Sequence, residues 1–264
     1  MTTLIEFPAK AAFGRILPKE KIYAHARPGK AIREKFVAQI SKIVWQYKLS
    51  PETVNLAAKK GVPEIEIFDL HLKTSEPDEA ILLCIDKAIP FPLFFRLIYE
   101  AQIKTVAAFK RPSDADASKW VVEGYFSSDW IPASAERIPM PVALDLGKLY
   151  EQLLRQLMPL PPRSGESLKA QVERLDHVRS MQQEIIKMES RLNKEKQFNK
   201  KVELNAQLRQ LKTGLQKLTT EGTEKHGKNK NQFSGEAGPS VVKNPDIGFL
   251  EGLTTESTKD HGHG

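Results

Sequence analysis

Beyond Pro159 the apolar residues of this chain fall at heptad spacing, in two blocks that do not share a register. Val178, Met181, Ile185, Met188 and Leu192 step by three and four, and Leu204, Leu208, Leu211, Leu215 and Leu218 step by four and three. Such spacing lays an apolar stripe along a helix and calls for a second helix to bury it. Continuing the first block reaches Glu195 and Asn199, so no single unbroken seam exists. Two arrangements fit: an antiparallel hairpin turning around residues 193–199, or one long helix with a register discontinuity, since neither glycine nor proline marks the turn. At 1.5 Å per residue, a ~20-residue arm extends about 30 Å. We therefore expect a helical coiled-coil arm over residues 166–220.

The stretch before Pro159 has a different character. The helix expected from Lys30 to Tyr47 carries Ile32, Phe36, Ile40, Ile43, Val44 and Tyr47 at three- and four-residue steps. Pro51 stops it. Residues 1–27, broken by prolines and Gly14, read as irregular apart from a short helix over 9–13. Strands are expected at Glu64–Lys73, with a change of phase near Phe68, at Ala80–Ile85, at Ile103–Phe109 and at Lys119–Phe126. Pro92–Glu100 reads as the crossover helix between the second and third strands. Asp145 caps a last helix through Met158. The fold class is thus an α/β or α+β head (1–160) with a small mixed sheet and flanking helices. A stiff proline-rich linker (161–165), the arm (166–220) and a disordered tail (221–264) follow.

Charge is distributed unevenly along the 264 residues. The overall formal charge is +7, with +7 in residues 1–48, −4 in 49–160, +6 in 161–220 and −2 in 221–264. Two basic stretches around an acidic middle suit a polyanion partner, because clustered lysines release counterions from nucleic acid. The competing reading is that helical surfaces are lysine-rich for solubility. The lone Cys84 sits in an apolar run, which excludes a disulfide framework and suggests a buried reduced thiol in a cytosolic protein. No apolar run approaches the ~20 residues of a membrane span, and the N-terminus lacks the pattern of a secretory signal. The expected location is the cytoplasm, with no membrane partner.

Four segments resemble the bacterial domain of unknown function 4391 family. They are Tyr47-Lys48-Leu49-Ser50-Pro51-Glu52-Thr53, the stretch Glu64 to Lys73, Ile85-Asp86-Lys87-Ala88-Ile89-Pro90-Phe91, and Glu195 to Asn205 in the arm. The resemblance covers roughly residues 10–220. It implies a bacterial cytosolic protein, commonly encoded beside helicases and DNA methyltransferases of restriction-modification or defence systems. It carries no catalytic residues over.

Two constellations are candidates for chemistry. Asp69, His71 and Lys73 share a strand face, and Asp86-Lys87 follows the next apolar run. A metal-dependent nuclease would use Asp69, Asp86 and Lys73 around a magnesium ion, its only cofactor. The spacing argues against it: His71, not an acid, stands two before Lys73, and the stronger reading is a solvated strand face. No P-loop, dinucleotide fingerprint, zinc spacing or nucleophile elbow is present, so no metal or other cofactor is expected. The second constellation is basic: Lys194, Lys196, Lys200 and Lys201 in the arm, with Lys35 and Lys42 near the N-terminus, as nucleic-acid contacts. Phe198 within the run could stack on a base, although packing into the turn is the stronger expectation. The leading function is a non-catalytic accessory subunit that binds nucleic acid, DNA above all, beside a helicase or methyltransferase partner. The alternatives are the nuclease and a protein-only scaffold, with self-association through the coiled coil possible in any of them.

Overall fold

A computed structural model describes residues 3–113, 115–116 and 119–220. The expected disorder of 221–264 lies outside the described residues. The described chain forms two compact units, one ending at Met158 and the other beginning at Pro159.

The first unit is built on a mixed seven-stranded sheet. In chain order it contains β1 (Leu4–Glu6), a 3-10 turn (Ala9–Ala11), β2 (Ala12–Ile16), α1 (Lys19–Ala26), α2 (Lys30–Gln39), β3 (Ile40–Leu49) and α3 (Pro51–Val54). There follow β4 (Ile65–Leu72), α4 (Glu79–Ala88), β5 (Leu93–Tyr99), β6 (Gln102–Pro112), β7 (Trp120–Ser127), β8 (Ile131–Pro132), β9 (Arg137–Pro139) and α5 (Leu146–Arg155). The sheet order is β2-β3-β4-β5-β6-β7, with β8 added to β6, and β1 pairs separately with β9. Only β4 and β5 are parallel within the large sheet, joined by α4 as crossover. Phe68, Leu70, Phe95 and Leu97 bury one face against Ile81, Leu82 and Ile85 of α4 and Phe36 of α2. On the other face α5 is anchored by Tyr150, whose hydroxyl donates to the Ala108 carbonyl at 3.0 Å and accepts from the Lys110 amide at 2.8 Å.

The mixed head agrees with the expectation, but several of its elements were misread. The helix expected to run to Tyr47 ends at Gln39, and residues 40–49 are strand β3. Two register shifts in its pairing with β4, at Ile40/Lys42 and Trp45/Tyr47, explain the error. Each bulge resets the two-residue alternation, so apolar positions of a strand come to lie three and four apart. Lys42 and Lys48 therefore project from a strand. Second, Ala80–Ile85 is helical, part of α4. The Asp78 carboxylate accepts from the Ala80 amide at 2.9 Å and starts the helix. Buried Ile81, Leu82, Cys84, Ile85 and Ala88 cover so much of its circumference that it reads as a continuous apolar run. Third, the segment read as a crossover helix, Pro92–Glu100, holds strand β5, covered on both sides. Glu100, at φ +51°, makes the tight turn into β6. The change of phase near Phe68 comes from burial: both faces of β4 are covered, and its pairing with β5 is regular. Residues 1–27, expected to be largely irregular, hold β1, β2 and α1, with Pro18 serving as the N-cap of α1.

The second unit is a hairpin of α6 (Leu168–Lys194) and α7 (Phe198–Thr219), turning at residues 195–197. Every residue of the two heptad blocks is buried or half-buried. Lys212 pairs with Glu189 at 2.8 Å, and a Cβ on Gly214 would meet Met181 at 2.7 Å, so the helices run antiparallel in close approach. The base is closed by ionic bonds. Arg174 grips Glu166 through two bonds of 2.7 and 2.8 Å and also donates to the carbonyls of Pro161 and Leu218. Arg163 donates to the Lys217 carbonyl at 2.7 Å. The orphan carbonyls at the end of α7 are thus satisfied by arginines, and residues 160–163 are tied to the hairpin.

Candidate nucleic-acid interface

The tip of the hairpin is made by one carboxylate. Glu195 Oε1 accepts from the backbone amides of Lys196 and Gln197 at 2.8 and 2.9 Å, which fixes the turn between α6 and α7. Those bonds hold its carboxyl below the usual glutamate range, and nearby Lys200 and Lys201 add to the effect. Lys194, Lys196, Lys200 and Lys201 stand around this turn, all exposed. Among the described residues none of the four has an ion-pair partner. Of the two acids between positions 187 and 201, Glu189 is engaged by Lys212 and Glu195 by the turn. Phe198, the first residue of α7, is 77% exposed, so it does not pack into the turn as the stronger expectation had it.

The two N-terminal lysines stand differently. Lys35 Nζ is engaged by the Asp78 carboxylate, the residue that caps α4. Lys42 is exposed on β3, opposite His71. Desolvation, and then the Lys42 charge, lower the His71 pKa.

The residues of the nuclease reading are not brought together. Asp69 lies mid-strand in β4 and forms two bonds of 2.6 Å with Arg96 of β5. It points to the side of Ile67 and Phe94, away from the face where Phe68 and Leu70 pack on α4. Asp86, expected just beyond a strand, is instead in α4 on the opposite face of the sheet. There Lys110 of β6 approaches its carboxylate at 3.3 Å and donates to its carbonyl at 2.5 Å, and the Tyr125 hydroxyl donates to Oδ2 at 2.5 Å. Burial raises the Asp86 pKa and lowers that of Lys110, while their mutual attraction opposes both shifts. Lys73 lies past the end of β4 and donates to the Val37 carbonyl at 2.8 Å, capping the end of α2 with Lys19. Among the described residues no group of three His, Cys, Asp or Glu side chains could hold a metal ion.

Sequence reasoning passed over the most unusual acid. Glu66 of β4 is wholly buried on the α4 face, accepts a hydrogen bond from Trp45 Nε1, and has no partner for Oε1. Desolvation and the neighbouring Glu64 raise its pKa well above the ordinary value, while Lys48, which pairs with Glu64 at 3.0 Å, opposes the shift. The available signal was the acid pair Glu64 and Glu66, sharing a strand face with Phe68 and Leu70. Cys84 is buried, and burial raises its thiol pKa. Among the described residues no helix is long and apolar enough to cross a membrane.

No curated protein and no solved structure matches the chain. A family model described as a domain of unknown function (DUF4391) matches residues 5–215. That span takes in the sheet, its covering helices and nearly all of the hairpin, so the chain belongs to the DUF4391 family.

Proposed function

We propose that this protein is a non-catalytic accessory subunit that binds nucleic acid through the tip of its hairpin. The observation that carries this reading is the set of four unpaired, exposed lysines around the turn. Helix stability does not account for them. Lys200 and Lys201 occupy the first turn of α7, which holds no acid, and positive charge beside a helix N-terminus opposes the helix dipole. Four like charges on one turn repel each other, and an approaching polyanion removes that cost. A helicase or methyltransferase as the protein partner rests on the family resemblance alone. The nuclease alternative finds less support, since Asp69 and Asp86 face away from each other across the sheet.

The test is a salt titration of DNA binding by the full chain and by a variant with Lys194, Lys196, Lys200 and Lys201 changed to Glu. The expected result is weaker binding on every sequence, with a salt slope lower by ~0.9 for each duplex phosphate contact removed. Unchanged affinity and slope in a folded variant would exclude the tip. Co-purification from the native host names the protein partner.

A further inference from the structure

The tip combines its lysines with a feature that duplex DNA does not use. Phe198 is 77% exposed, and Val202, one helical turn on, is 53% exposed on the same stripe. The turn does not need the ring, because the Glu195 bonds to the Lys196 and Gln197 amides already close it. Phe198 is the first residue of α7, so the helix fixes the backbone from which the ring projects. An exposed aromatic face in a segment with four exposed lysines suits a planar partner that also carries negative charge.

We infer that the hairpin tip recognises single-stranded nucleic acid, with Phe198 stacking on an unpaired base while Lys194, Lys196, Lys200 and Lys201 hold the flanking phosphates. This rests on the nucleic-acid reading above and narrows its ligand. A duplex offers phosphates on its outside but buries its base faces in the stack. A single strand offers both at once, and stacking tolerates any base because every base has a π-face. Val202 adds apolar contact beside the stacked base without reading its identity.

The experiment measures fluorescence anisotropy with a 20-nucleotide oligothymidine and a 20-base-pair blunt duplex, using the full chain at fixed salt. Phe198→Ala is expected to weaken single-strand binding by about 5- to 150-fold, to leave the salt slope unchanged, and to leave duplex binding as it was. Phe198→Leu, which keeps apolar bulk without the π-face, is expected to lose most of the same affinity. Equal binding of the oligothymidine by parent and Phe198→Ala would overturn the proposal. So would an equal loss on both substrates, or full retention by Phe198→Leu. Binding to phosphatidylserine vesicles but to neither oligonucleotide would also overturn it. The four-lysine reversal separates the two readings: if it binds both substrates like the parent, the phosphate reading has failed. If it loses both while Phe198→Ala loses neither, only the stacking has.

Discussion

The head and the hairpin tip both hold charge, but they use it in opposite ways. In the head the buried and half-buried ion pairs bind separate elements of the fold together: Asp69 to Arg96, Asp86 to Lys110 and Tyr125, Lys48 to Glu64, Lys35 to Asp78. At the tip four lysines are exposed, and among the described residues none of them has an ion-pair partner. Charges that lock elements together are bought with desolvation and returned through geometry, whereas charges left in water add little to folding. The lysines that matter for the fold and those left exposed at the tip are therefore separable by mutation.

The largest effect is expected at Lys110. Replacing it by Ala leaves the Asp86 carboxylate buried and removes the donor to two carbonyls at the end of α4. Chemical denaturation should show a loss of about 3–5 kcal/mol. Lys196→Ala at the tip should change stability by less than ~0.5 kcal/mol. Similar costs for the two would erase the distinction between structural and presented charge.

A smaller effect, visible only against pH, is expected from Glu66. Its folded pKa lies well above its unfolded value of 4.5. Between those two values the folded state holds a proton that the unfolded chain has released, so stability falls as pH rises through that window. One proton gives a slope of at most ~1.4 kcal/mol per pH unit. Glu66→Gln keeps an acceptor for Trp45 Nε1 and removes the titration. Thermal melts from pH 4.5 upward should then show a flatter profile for the variant than for the parent. An unchanged slope would mean that Glu66 ionises freely, and that the head tolerates unpaired buried charge after all.

The smallest effect has the most telling sign. Lys200→Glu and Lys201→Glu place acids in the first turn of α7 and should each stabilise the hairpin by about 0.3–1 kcal/mol, read as slower amide hydrogen exchange along α7. The same changes should weaken nucleic-acid binding. Hydrogen exchange that quickened instead would show that these lysines serve the fold, as those of the head do.

The sequence by itself determined the parts of the molecule whose order is local. The two out-of-phase heptad blocks marked two apolar helical stripes, the Asp145 cap placed α5, and the strand expected at 119–126 is β7. Periodicity along one element is enough when a single face of it is buried. Where burial covers both faces, the period disappears, and α4 and β5 were exchanged for that reason. Where bulges reset the alternation, as in β3, a strand acquires the spacing of a helix. The choice between a hairpin and a continuous helix was likewise open in the sequence, because Glu195 makes the turn without glycine or proline. The candidate sites divide along the same line. The tip lysines are close in sequence and could be read directly. That Lys35 is engaged by Asp78, that Lys73 caps α2, and that the sheet lies between Asp69 and Asp86 depend on contacts between residues far apart in the chain. Only the tertiary structure decides which charges meet, because pairing and desolvation are properties of the packed interior and not of the residues one at a time.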